Sequence, residues 1–216
     1  MSRLKDSLQN DSLKMKDSWT KEEAKKIFFT SDTHFGHTNI LKYCNRPFKN
    51  IVEHNKTIIE NWNRVVPQDG IVFHLGDVGL GDKRHICSTL DKLNGKIYLI
   101  IGNHDWRNIL KYYTERFEEC VLEADIKIDG QHIILNHYPL LCYAGAYHKP
   151  ATWQLYGHVH SGPLSPNGLD NPRLAMCFPQ QYDVGVDNND FTPVSFEQLK
   201  DIIKNREYES RLHNQA

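Results

Sequence analysis

The chain has 216 residues, 26 Lys and Arg against 27 Asp and Glu, a formal net charge of −1 and 39% hydrophobic residues. That length suits one sizeable domain with a single core. The neutral balance argues against a large electrostatic footprint for duplex nucleic acid, and no window approaches the roughly 18–20 apolar residues that a membrane-spanning helix needs.

Residues 1–19 are polar and of mixed charge, a segment expected to start in disorder, and residues 20–216 read as a single domain. Thr20-Lys21-Glu22-Glu23 has the form of a capping box and predicts a short helix. Ile27-Phe28-Phe29-Thr30 is an apolar run bounded by charge and predicts a buried strand that ends at Asp32. From about Val52 to Val66, the residues Ile58, Ile59, Trp62 and Val65 fall at helical spacing, and Pro67-Gln68-Asp69-Gly70 closes that helix with a turn. Ile71 to Leu75 is a second buried strand ending at Gly76-Asp77. Lys83 to about Leu93 reads as a helix closed by Asn94-Gly95. Ile97 to Ile101 is a third strand ending at Gly102-Asn103. This cadence argues for βαβ units and a largely parallel sheet.

The second half changes character. Asp125 to Ile128 and Gln131 to Leu135 flank Asp129-Gly130, a hairpin signal. Trp153 to Tyr156 leads into Gly157-His158. Arg173 to Cys177 and Tyr182 to Val186 read as late strands, and a final helix runs from about Ser195 to Glu207. The expectation is a second, more antiparallel sheet packed on the first. Pro163 to Pro172 is a Pro, Gly and Asn-rich surface loop.

Twelve histidines are many for this length, and several recur beside Gly and Asp at strand ends. In open α/β sheets loops converge and ligands bind at the carboxyl ends of strands, so residues as distant as Asp32 and His160 can meet there. The segments are Asp32-x-His34, Gly76-Asp77, Gly102-Asn103-His104-Asp105, His137 and Gly157-His158-Val159-His160. Side chains alternate along an extended segment, which puts His158 and His160 on one side, suited to adjacent ligation of two ions. Imidazole mixed with oxygen donors suits borderline divalent ions better than calcium. His74, inside a strand, reads as a core histidine, whereas His54, His85, His132 and His213 read as surface residues. Cys44, Cys87, Cys120, Cys142 and Cys177 are odd in number and include no C-x-x-C pair. With no signal peptide in view, free thiols and a cytoplasmic location are expected.

In this order the segments resemble the calcineurin-like metallophosphoesterase superfamily over roughly residues 27–190, and Asp32 to Ile40 is similar to a small bacterial and phage branch of it. The resemblance implies a four-layer α/β/β/α sandwich, with two packed mixed sheets flanked by helices. It implies two divalent transition-metal ions, manganese first, with Fe, Ni, Co and Zn as alternatives. One would be held by Asp32, His34, Asp77 and His160, the other by Asp77, Asn103, His137 and His158. The activity implied is dinuclear-metal-dependent phosphoester hydrolysis. A hydroxide bridging the metals would be the nucleophile, His104 the general acid, and Asp105 the group that orients the His104 imidazole. The compact size favours a small phosphorylated or nucleotide substrate, and phosphodiesterase activity is expected over monoester hydrolysis. His37, Arg46, Arg107 and Tyr138 are candidate substrate contacts, with a structural hydrogen bond or local salt bridge as the competing role for His37 and Arg46. Two alternatives stay open: a nuclease on the same fold, and a catalytically silent metal-binding scaffold for protein interaction.

Overall fold

The computed structural model describes residues 16–108, 114–165 and 174–213, with side chains to residue 106 in the first stretch and to residue 206 in the last. A two-residue strand, β1 (Ser18–Trp19), precedes the one-turn helix α1 (Lys21–Ala24). The Thr20 side chain accepts from the Glu23 N–H and Glu23 reaches back to the Thr20 N–H, forming the expected capping box. Strand β2 (Ile27–Thr30) follows, then the single turn α2 (Ile40–Tyr43) and α3 (Ile51–Val65). Asn50 caps α3 by accepting from the N–H groups of Val52 and Glu53. Next come β3 (Ile71–His74), α4 (Lys83–Leu90), β4 (Lys96–Ile100), the short α5 (Asp105–Asn108) and β5 (Glu119–Val121). Neither β1 nor β5 is foreshadowed by an apolar run or an alternating pattern.

The hairpin of β6 (Glu123–Ile128) and β7 (Gln131–Asn136) turns at Asp129-Gly130 as expected. Then follow β8 (Trp153–Tyr156), β9 (Gln181–Asp183), β10 (Val194–Ser195) and α6 (Phe196–His213). Residues 174–177 form a turn instead of the expected strand, and residue 173 lies outside the described residues. Most of the Pro163–Pro172 loop lies outside them too, as do residues 1–15.

Two five-stranded mixed sheets result, in the orders β10-β2-β3-β4-β5 and β1-β6-β7-β8-β9. In the first, β2 through β5 are parallel and β10 runs antiparallel to β2. In the second, β6 and β7 are antiparallel and the other pairings parallel. The second sheet is therefore no more antiparallel than the first. The expectation had generalised from its single hairpin.

Alternation along the strands builds the two cores. Ile27, Phe29, Phe73 and Ile100 point between the sheets, where they meet Ile126, Leu135, Leu155 and Val184, with Phe196, Leu199 and Ile203 of α6 in the same cluster. Phe28, Val72, Ile97 and Leu99 point the other way, onto Ile58 and Trp62 of α3 and Ile86 and Leu90 of α4. Because β2, β3 and β4 are parallel, their carboxyl ends lie on one edge. No described helix is long and apolar enough to cross a membrane.

Candidate metal centre

The loops leaving β2 and β3 are zipped together before any side chain is considered. Asp32 N donates to Gly76 O (2.9 Å), His34 N to Asp77 O (3.0 Å) and Phe35 N to Val78 O (2.9 Å). In the second sheet Gly157 N donates to His137 O (3.0 Å) and ties the loops leaving β7 and β8 together in the same way. Two glycines permit close approaches to the carboxylates of Asp77 and Asp32. A Cβ at Gly102 would collide with Asp77 Oδ1, and one at Gly157 with Asp32 Oδ2. In their absence His158 N donates to Asp32 Oδ2 (2.9 Å) and His104 N to Asp77 Oδ1 (2.9 Å).

The side chains gather into two groups that could each hold a metal ion: Asp32, His34 and His160, and Asp77, His137 and His158. Asp77 faces both. Its Oδ2 is 3.6 Å from His34 Nε2, and its Oδ1 is 3.7 Å from His137 Nε2. Asp32 Oδ1 lies 4.0 Å from His34 Nε2 and 3.9 Å from His160 Nε2. Asn103 Oδ1 is 3.0 Å from His137 Nε2. All seven expected ligands therefore share one site.

The chemistry of this donor set fits cations. Asp32 Oδ1 and His34 Nε2 are buried with no hydrogen-bond partner, a cost proteins avoid unless another ligand is provided for. His137 Nδ1 lies 2.7 Å from Leu75 O, which can only accept. The ring proton therefore sits on Nδ1, and the Nε2 lone pair points into the site. His34 and His37 meet Nδ1 to Nδ1 at 3.3 Å. In the tautomer where His34 donates to His37, the His34 Nε2 lone pair is directed at Asp32 and Asp77. Burial, then Arg46 and His160, hold the His34 pKa well below the ordinary imidazole range, so it stays neutral. Burial and the neighbouring Asp32 push Asp77 up to about 6, and the same two causes push Asp183 up to about 6. Buried carboxylates that repel one another are a setting a divalent cation relieves.

Backbone strain is concentrated at the same residues. Asp32, His34, Asp77, His158 and His160 all have positive φ, between 47° and 70°. This region is unfavourable for residues with a Cβ and is held only where surrounding contacts over-determine it. The segment from His158 to His160 is consequently not extended. The two imidazoles diverge, His158 to the Asp77 group and His160 to the Asp32 group, and do not share the one side that alternation had suggested.

Other expected residues fall differently. His104 is partly exposed, with Nε2 3.9 Å from Asp77 Oδ2 and its ring 5.4 Å from that of His34. Asp105 does not orient that imidazole. It is fully buried and accepts from the N–H groups of Asp77 (2.8 Å), Val78 (3.0 Å) and Gly102 (2.7 Å), so it clamps the β3 and β4 loops together. Arg46 does not face solvent, and all five of its N–H groups are engaged. They donate to Asp187 Oδ1 and Oδ2 (2.8 and 2.7 Å), Asp32 O (2.8 Å), Thr33 O (3.3 Å) and His54 Nε2 (2.8 Å). None is left for a phosphate, which corrects the expected substrate contact. His37 is half-buried beside His34 and His104. Tyr138 is exposed, its ring 4.9 Å from His137 and 4.6 Å from His158. Arg107 sits in α5, and its side chain lies outside the described residues. His74 is a core residue as expected, paired with Thr33 Oγ1 at 2.9 Å. His54, expected on the surface, is fully buried against Arg46.

Sequence reading missed Asp183 and Asp187. Asp183 Oδ2 accepts from Ser161 N and Oγ (3.1 and 2.6 Å), and Oδ1 from Gly185 N (2.7 Å). Asp187 Oδ2 is 2.7 Å from His160 Nδ1. Both acids sit at or just past the carboxyl end of β9, where the rule that singled out Asp32 and Asp77 would have found them.

Comparisons with known proteins give a family and a fold. The model of a calcineurin-like phosphoesterase superfamily domain matches residues 26–167. The chain is 36% identical over 182 residues to the uncharacterized protein MJ1445 of Methanocaldococcus jannaschii, covering 83% of this chain and 92% of that one. It is 28% identical over 160 residues to the gene 66 protein of Mycobacterium phage L5, covering 62% of this chain and 77% of the phage protein. A solved protein of unknown function from Aquifex aeolicus shares the fold, with a TM-score of 0.61 at 24% identity over 82% of this chain and 98% of that one.

Proposed function

Because the chain belongs to the calcineurin-like phosphoesterase superfamily, we propose that it is a dinuclear-metal-dependent phosphoester hydrolase acting on a small phosphorylated or nucleotide substrate, with phosphodiesters preferred. The observation that carries this reading is Asp77, whose two carboxylate oxygens face two separate histidine-containing groups. A carboxylate so placed could serve as a ligand to both ions of a pair.

Asp32, His34, Asp77 and His160 would hold one ion, and Asp77, Asn103, His137 and His158 the other. Manganese, iron, nickel, cobalt or zinc suits this donor set. When bound, such a pair supplies Lewis-acid activation of water and neutralises charge on the phosphoryl oxygens. The protein supplies the rest. His104 stands beside Asp77 Oδ2 with its ring partly open to solvent, which suits it to protonate the departing ester oxygen as the P–O bond breaks. Its backbone N–H, bonded to Asp77 Oδ1, fixes its position relative to the ligands. His37, 6.1 Å from His104 ring to ring, borders the same opening and is suited to a phosphoryl oxygen.

The test is hydrolysis of bis-p-nitrophenyl phosphate and p-nitrophenyl phosphate by metal-stripped protein resupplied with Mn, Ni, Zn, Co or Mg. Metal-dependent cleavage favouring the diester is expected. Preference for the monoester would redirect the assignment to a phosphatase. Failure with every metal, in protein that binds two ions, would sink the hydrolase reading and favour a scaffold.

A further inference from the structure

A cavity of about 500 Å³ opens directly beside the Asp77 group, and His158 belongs to both. Its size lies within the roughly 300–1,000 Å³ range of small-molecule sites. Besides His158 its walls include Tyr138, Leu140, Leu141, Leu174 and Met176, and among the described residues no Lys, Arg, Asp or Glu lines it. Three large apolar side chains that the fold leaves exposed converge here, Tyr138, Leu141 and Met176. Exposed apolar surface gathered against a polar reaction centre marks a binding subsite.

We propose that this cavity takes an uncharged aromatic substituent of the phosphoester, so that the substrate class is aryl or similarly apolar phosphoesters and not polyphosphates or sugar phosphates. The proposal rests on the hydrolase reading above. Among the described lining residues there is no cation to neutralise a second phosphate. Few polar edges could be satisfied either, because the Cys177 thiol is already paired with Tyr156. What remains suits a flat ring. Tyr138 stands edge-on to His158, with interplanar angle 68°, and offers an exposed aromatic surface. The Met176 thioether adds a polarizable contact of the kind that packs against aromatic edges.

The experiment compares phenylphosphonate with methylphosphonate as competitive inhibitors of p-nitrophenyl ester hydrolysis, in the wild type and in Leu141→Lys and Met176→Glu. Both positions are exposed and outside the ligand set, so folding is retained. Each variant should bind phenylphosphonate about 10-fold more weakly, with inhibition by methylphosphonate unchanged. In parallel, the 13C methyl signal of Met176 is followed as metal-loaded protein is titrated with phenylphosphonate or methylphosphonate. It should move with the phenyl compound alone. Equal losses for both inhibitors, or a Met176 signal that ignores phenylphosphonate, would overturn the proposal. If no ester is cleaved with any metal yet Met176 responds to the phenyl compound alone, the aromatic subsite stands and the hydrolase reading falls.

Discussion

Asp187 Oδ2 sits 2.7 Å from both His160 Nδ1 and Arg46 Nη2, so a single carboxylate oxygen couples a candidate metal ligand to a buried guanidinium. Arg46 also holds the carbonyls of Asp32 and Thr33. The β2 loop and the His160 loop, more than a hundred residues apart, are thereby locked in one frame. Burial alone would raise the Asp187 carboxyl, but Arg46 and the His160 hydrogen bond outweigh it and hold it at about 2. The carboxylate is therefore ionised at any working pH and fixes the His160 tautomer with Nε2 facing Asp32.

Asp187→Asn should weaken the Asp32, His34 and His160 group by about 10- to 100-fold in metal affinity, the usual cost of losing such an outer partner. Calorimetric titration should show one of two ions weakened and the other unchanged. Equal weakening of both, or of neither, would show that Asp187 does not position His160.

Asp77→Asn and His104→Ala should separate binding from chemistry. The first removes the shared charge and should lose metal and activity together. The second should keep both ions and lose about 100- to 10,000-fold in turnover, the range for a general acid. Wild-type turnover by His104→Ala would remove that role.

Gly102→Ala inserts a methyl group against Asp77 Oδ1 and the Asp77 N–H. Asp105 holds the N–H and the His104 N–H holds Oδ1, so neither can yield cheaply. Loss of metal stoichiometry is expected with the fold retained, read by metal analysis beside circular dichroism. Full occupancy in this variant would show that the β3 loop is looser than its contacts indicate.

Stability should fall as pH is lowered. Burial, then Arg46, takes His54 down to about 4, and burial takes His74 down to about 3. The unfolded chain takes up both protons below about 6.5 and the folded chain does not. This contribution is complete above pH 6.5 and is lost as pH falls through the folded values. Asp77 and Asp183, raised to about 6, act in the opposite sense, since their folded forms hold protons more readily. The difference between wild type and His54→Gln isolates one histidine, because glutamine can still accept from Arg46. Urea midpoints at pH 7.5 and 5 should show a flatter dependence for the variant, and identical slopes would contradict this account of His54.

Local chemistry was enough to read the three parallel strands, the helices between them and the ligand series. Apolar runs such as Ile71 to Phe73 can bury both faces only in a covered parallel sheet, and Gly or Asp at their ends marks the edge where ligands collect. The roles of Arg46, His54, Asp105 and Asp187 were decided only by tertiary structure. An arginine in a loop has no sequence signature for burial, because what buries Arg46 is Asp187, brought to it by β9 pairing with β8. Asp105 stands next to His104 in the chain, yet its carboxylate turns to the three backbone N–H groups that two strand ends leave unpaired. His158 and His160 diverge because strained backbone, not strand alternation, sets their directions. Spacing along a chain identifies which groups can meet, whereas which atom of each group faces which partner depends on the packing of the two sheets.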